Sequence, residues 1–378
     1  MRIVLTGVET NNKGAELMLY AILQEIERKD PNADIYISPR DIPQGLDYVK
    51  TPLKLRYWPY ERIINKSHIN SILYRLHLPQ LLDSRAVSAD YFFDGSGFRF
   101  SDQCKLWGTK PEWWEKLLHN MHKNGSKIVF LPQAFGPVAE EPTKRAIKVL
   151  GLYSDIIMPR EGTSYEYLKD SALVDMKKVR IFTDFTSLVE GVFPTSYEHL
   201  KGGVCIIPNV NMIEKGGIGF EEYLNLISSI AIESKNSGHP VYFLNHEGQR
   251  DSELCYKCKE SIDCEVEIVT SLNALEVKGL ISSAYIVITS RFHGLASSLN
   301  SGIPSLATSW SHKYEELFKD YGLDNDFVLP LQDNKATIKK VKDLLMEENN
   351  KRVRQIIERR IPRIKAQTHE MWDLIWSL

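Results

Sequence analysis

No stretch of this chain approaches the roughly 20 consecutive apolar residues that a membrane-crossing helix needs, which removes the transmembrane class. The opening Met1-Arg2-Ile3-Val4-Leu5-Thr6-Gly7 reads as a strand entering a glycine turn. It lacks the longer apolar core and small-residue cleavage site of a signal peptide, so a cytoplasmic location is expected. Neither sign of charge is in excess: 47 basic residues against 49 acidic ones leave a formal net charge of -2. The overall balance therefore gives no reason to expect a nucleic-acid partner. Cysteine is sparse, with five residues, an odd number that argues against a disulfide framework. Cys255-Tyr-Lys-Cys258, with Cys264 nearby, has the spacing of half a zinc site, but no fourth ligand follows at usable spacing. These cysteines read instead as reduced, half-buried helix residues, and no metal is expected. Internal repeats and low-complexity runs are also lacking.

What the chain does have is enough length, 378 residues, to divide into two domains with cores of their own. Its 43% hydrophobic and 25% charged content is ordinary for a globular protein. The first half alternates short apolar runs with helical stretches, predicting parallel strands at 3–8, 34–38, 91–94, 127–131, 155–158 and 179–183. The pattern breaks into Gly-Val-Phe-Pro-Thr-Ser and Lys-Gly-Gly between Glu190 and Gly203, a hinge signal. A second alternating series follows, with strands predicted at 204–207, 241–244, 265–269, 285–289, 305–307 and 327–329. The expected fold is α/β: two doubly wound Rossmann-like domains, 1–196 and 202–347, facing a central cleft as in the GT-B architecture of glycosyltransferases. A helical tail, 348–378, with a kink at Pro362, would brace them. One segment, 53–85, departs from the alternation by mixing Lys54, Arg56, Arg62, Lys66 and Arg75 with Tyr57, Trp58, Tyr60 and Tyr74. Such a basic, aromatic insertion suits either a helical excursion packed on the sheet or peripheral contact with an anionic membrane surface, here the inner face of the plasma membrane.

In open parallel sheets ligands lie beyond the carboxyl ends of the strands, so the turns there are where chemistry is sought. The most informative turn is Ser290-Arg291-Phe292-His293-Gly294, where a buried strand runs into a helix. Arg291 offers a planar fork for a carboxylate or phosphate, the helix start adds free N–H groups, and His293 can move a proton near neutral pH. Asn12, Gly14 and Glu16 occupy the first strand-to-helix turn, where Asn12 could bond a sugar hydroxyl or cap the helix. Asp94-Gly95-Ser96-Gly97, Gln133 and Arg160-Glu161 follow other strands of the first half. Lys313 reads equally as a phosphate contact or a solvated helix residue. His246, after the strand at 241–244, reads as an exposed loop histidine more readily than as part of a site.

Taken in order, these blocks resemble the polysaccharide pyruvyl transferase family. Ser290-Arg291-Phe292-His293-Gly294 with Gly302-Ile303-Pro304 is similar to its S-R-x-H-G...G-x-P signature. Asn12-Lys13-Gly14-Ala15-Glu16, Gly95-Ser96-Gly97, Leu131-Pro132-Gln133-Ala134-Phe135-Gly136-Pro137, Arg160-Glu161 with Ser164, and Trp310 to Lys313 with Tyr314 resemble the family's remaining blocks. Two positions depart: Ala15 stands where Asp is common, and Ser96 replaces a glycine. The resemblance spans about residues 1 to 320 and is specific for the family, not for a sugar.

The resemblance implies that pyruvate moves from phosphoenolpyruvate to a sugar of a bacterial cell-surface polysaccharide or its lipid-linked precursor, forming a ketal and releasing phosphate, with no cofactor beyond the donor. On this reading Arg160, Arg291, Phe292, His293 and Lys313 bind phosphoenolpyruvate, and Asn12, Gly14, Asp94, Gly97, Gln133 and Glu161 line the acceptor. His293 is the general acid or the group that protonates the phosphate, and Glu16, Glu161 or Asp94 takes the acceptor proton. The first domain would carry the acceptor and the second the donor. The competing readings are a glycosyltransferase using a nucleotide-sugar donor and a glycan-binding protein without catalysis.

Overall fold

Runs rich in β-branched and aromatic residues, too short for helices and closed by glycine or polar turns, form the strands of two separate parallel sheets. The computed structural model describes residues 1–58, 89–104, 111–309 and 313–378. The chain divides into one unit of Met1–Asn11, Met18–Phe185 and Glu370–Leu378, and another of Asn12–Leu17 and Thr186–His369. The boundary thus comes earlier than the hinge signal after Glu190. The opening turn of the first helix, with Asn12, Gly14 and Glu16, belongs to the second unit, although the sequence pattern groups it with the first.

In the first unit, β1 (Arg2–Thr6), β2 (Asp34–Ile37), β3 (Lys54–Tyr57), β4 (Tyr91–Asp94), β5 (Lys127–Gln133) and β6 (Ile156–Pro159) lie in the order β3-β2-β1-β4-β5-β6. Every pairing is parallel. That is the strand order of a dinucleotide-binding Rossmann sheet, and its direction reverses between β1 and β4. Val4, Phe92, Phe130 and Ile157 share one core cluster. Phe93 packs with Trp372 and Trp376 from the last residues of the chain, and Trp376 donates through Nε1 to Glu25 at 2.8 Å.

In the second unit, β7 (Val204–Ile207), β8 (Val241–Leu244), β9 (Glu267–Val269), β10 (Ile286–Thr289) and β11 (Ser305–Ala307) form a parallel sheet ordered β11-β10-β7-β8-β9. Its reversal falls between β7 and β10. The strands read as unbroken apolar runs because both faces are covered. Val204 and Ile206 point into one core with Phe243 and Ile288, while Cys205 and Ile207 point into the other with Tyr242 and Val287. Cys255 and Cys258 are fully buried on the inward face of the helix Gly248–Glu260, deeper than their pattern predicts.

Residues 179–183 run beside β6 through single bonds, such as Arg180 N–H to Ile157 O, without forming a regular strand. Residues 327–329 likewise contribute only a bridge, Ala307 to Val328. Pro362 opens the helix Ile361–Trp376 instead of kinking it, since a proline in the first turn has no hydrogen bond to lose. Of the basic, aromatic segment, 59–85 lies outside the described residues, while Lys54–Tyr57 is strand β3. Among the described residues no helix is long and apolar enough to cross a membrane.

Candidate functional site

The residues singled out by sequence fall into two clusters, one in each unit. In the second unit, Arg291 and His293 follow β10 at the strand-order reversal, where doubly wound sheets hold their ligands. Arg291 is the N-cap of the helix Phe292–Asn300. Its turn is fixed from below: the Ser290 carbonyl accepts from Asn209 Nδ2 and from the Tyr314 hydroxyl, both at 2.8 Å. The Ser290 hydroxyl bonds to those of Tyr223 and Thr308.

Two segments converge on this turn. The Lys13 amide donates to the His246 carbonyl at 3.1 Å, and Asn12 and Glu247 form an antiparallel bridge. Gly14 abuts the His293 ring so closely that a Cβ there would lie 2.3 Å from Nδ1 and 2.7 Å from Cγ. Gly14 therefore makes room for His293. Asn12 caps its helix, accepting from the Gly14 and Ala15 amides at 2.9 and 3.3 Å.

The Arg291 guanidinium is already engaged. Its Nε donates to Asp251 at 2.8 Å, its Nη2 also meets Asp251, and its Nη1 meets Glu247. Burial works against both charges, pushing the Arg291 guanidinium down and the Asp251 carboxyl up, and the ion pair between them offsets it. Glu16 is wholly buried, accepting from the Ala274 amide at the start of the helix Ala274–Ser282 and from Lys13 Nζ at 2.6 Å. Its carboxylate ties Lys13 to that helix end. Lys313 is buried, not solvated, with its ammonium 5.9 Å from the Phe292 ring centre and 5.8 Å from that of Tyr314.

His246 overturns its exposed reading, being 3% accessible. Burial first, then the charges of Arg291, His293 and Lys13, hold its pKa well below the usual histidine range, so the ring is neutral. Its Nδ1 has no hydrogen-bond partner among the described residues.

In the first unit, Asp94 ends β4 beside that sheet's reversal point and is fully buried. Its Oδ1 accepts from the Ser96 amide and hydroxyl at 3.1 and 2.5 Å and from Gln133 Nε2 at 3.2 Å; Oδ2 accepts from Arg99 at 3.0 Å. Ser96, the departure from a glycine, is thereby explained as an Asp94 donor. Gln133 Oε1 is buried without a partner among the described residues. The Gly97 carbonyl accepts from the Ala134 amide at 3.1 Å, joining the glycine turn to the Gln133 block. Arg160 is buried 3.8 Å from Asp184. Glu161 accepts from the Ser164 hydroxyl, which itself accepts from the Phe135 amide at 2.8 Å, so the Arg160 and Gln133 blocks are bonded to each other. Trp310 lies outside the described residues.

Sequence reasoning missed Glu247, Asp251, Asn209, Tyr223 and Arg99. The rule that pointed to Arg291 covers two of them, because Glu247 and Asp251 stand four apart just beyond the carboxyl end of β8, the neighbour of β7.

Several solved structures share the fold over nearly the whole chain. UDP-GlcNAc 2-epimerase from Neisseria meningitidis bound to UDP-GlcNAc matches with a TM-score of 0.59 at 10% identity, covering 100% of both chains. The enzyme of the same name from Methanocaldococcus jannaschii matches at 0.58 and 9%, covering 93% of this chain and 94% of that one. WaaG, a glycosyltransferase involved in lipopolysaccharide biosynthesis, matches at 0.56 and 10%, covering 99% of each. These likenesses show an α/β, GT-B-like fold of two Rossmann-like sheets. No curated protein matches the sequence. The family model described as polysaccharide pyruvyl transferase matches residues 12–312, from the Asn12 cap through the Arg291 and His293 turn, and the chain belongs to that family.

Proposed function

We propose that this chain transfers pyruvate from phosphoenolpyruvate to two hydroxyls of one sugar in a bacterial cell-surface polysaccharide or its lipid-linked precursor. The observation that carries the reading is the meeting of Arg291, His293 and Gly14 at the reversal point of the second sheet, a cation and a titratable ring held together where a ligand is expected. Lys313, beside Phe292, supplies a second cation near the same turn.

The reaction requires a proton at the methylene carbon of the donor and addition of one sugar hydroxyl to its central carbon. The carbon–oxygen bond to phosphate then breaks, and a second hydroxyl closes the ketal. Of the two hydroxyl protons released, one balances the proton gained by carbon and the other leaves with phosphate. Arg291 and Lys313 would hold the anionic groups, and His293 would deliver the proton. In the first unit, the buried Asp94 network and the unsatisfied Gln133 Oε1 suit hydroxyl recognition, since an unpaired buried acceptor gains from a donor. Arg160, with Asp184 beside it, is proposed as a further anion contact. The proposed site of action is the cytoplasm, at the inner face of the plasma membrane where a lipid-linked acceptor would lie.

The test is incubation with phosphoenolpyruvate and a panel of lipid-linked saccharides, following phosphate release and adduct mass. Acceptor-dependent phosphate release, with a product heavier by one pyruvate less water, supports the reading. His293→Ala should lower turnover by about 10²-fold or more. Turnover of a nucleotide-sugar without phosphoenolpyruvate consumption would refute it.

A further inference from the structure

The Arg291 clamp is asymmetric. Asp251 takes one edge of the guanidinium, through Nε and Nη2, and its other oxygen accepts from the Val210 amide at 3.2 Å. It is 2% exposed and lies within the helix Gly248–Glu260. Glu247 touches only Nη1, is 30% exposed, and precedes that helix in extended backbone without capping it. One guanidinium therefore faces two carboxylates, so an anion arriving there without a departure would set three negative groups around one positive one.

The geometry points to Glu247 as the exchangeable counter-ion of Arg291: an anionic group of the donor takes its place on Nη1 while Asp251 stays. The inference rests on the donor reading above and adds a residue that sets donor affinity. A partly exposed carboxylate with one contact gives up its partner at lower cost than a buried one, because solvent can receive the released charge. A buried carboxylate with several donors keeps its partner, because its charge would otherwise be stranded. Asp251 accordingly keeps the fork oriented, and Glu247 competes with the ligand. Either the phosphate or the carboxylate of phosphoenolpyruvate has the chemistry to replace it.

Titration calorimetry on the full chain at fixed ionic strength tests this with phosphoenolpyruvate, inorganic phosphate and pyruvate as separate ligands. Removing the competitor in Glu247→Gln should tighten phosphoenolpyruvate binding about tenfold, equivalent to about 1.4 kcal/mol. Glu247→Ala provides a second variant with the same expectation. The control is Glu253→Gln, a carboxylate on the same helix that bonds Gln249, and it should match the unsubstituted protein. Tightening for phosphate alone or pyruvate alone identifies the half of the donor that seats on Arg291. Unchanged or weaker binding in both Glu247 variants overturns the inference and leaves the donor reading standing. Equal tightening in Glu253→Gln also overturns it, because general charge would then explain the effect. Lack of binding by the unsubstituted protein overturns the donor reading and this inference together.

Discussion

One methyl group at Gly14 separates a packing constraint from a ligand-approach role. Within a helix, Gly→Ala ordinarily stabilises by up to about 1 kcal/mol. Here the added Cβ would stand 2.3 Å from His293 Nδ1 and 2.9 Å from its Cβ. With ordinary contacts near 3.5 Å, the ring or the helix start must retreat by about 1 Å. Forcing that shift costs about 1–3 kcal/mol, which outweighs the helix gain. In Gly14→Ala the net loss should be about 1 kcal/mol by chemical denaturation. Donor turnover should fall by about 10²-fold, the cost of a 1 Å misplacement of a reacting group. His293→Ala removes the ring and leaves only its Cβ, 2.9 Å away, so Gly14→Ala should cost less in that background than in the natural protein. The double-mutant cycle should then show coupling of about 1–3 kcal/mol. Additive effects within about 0.3 kcal/mol, or full turnover in Gly14→Ala, would refute the contact.

Three further outcomes follow from buried groups. Arg291→Ala leaves Asp251, 2% exposed, without its cation, so it should lower stability by about 3–5 kcal/mol as well as abolishing transfer; Asp251→Asn in that background should recover part of the loss in a urea titration. His246 is unprotonated when folded but titrates near 6.5 when unfolded, so its contribution is complete above that pH and is lost as acid protonates the unfolded chain. Between pH 6.5 and 5.5 the natural protein should lose about 1 kcal/mol more than His246→Gln, and parallel stability curves would contradict the buried neutral ring. Trp372, 1% exposed and packed on Phe93, Phe185 and Trp376, should cost about 3–5 kcal/mol when cut to Ala, measured by denaturant midpoint.

The sequence by itself determined the two parallel sheets, because strands buried on both faces are written as unbroken apolar runs such as Val204-Cys205-Ile206-Ile207. It also determined the turn after β10, because Arg and His seldom leave a buried strand together without a use, and the ordered blocks carried the family. Tertiary structure alone decided what those residues touch. Gly14 and His293 are 279 positions apart, and nothing local records that one yields space to the other. The partners of Arg291 come from the turn after β8, a strand that the sheet order sets beside β7 and two places from β10. His246 could be read as exposed because loop position is local, while its 3% exposure depends on what the fold packs around it. Pairing and burial are properties of long-range contact, and a chain read in order shows only which residues are available for them.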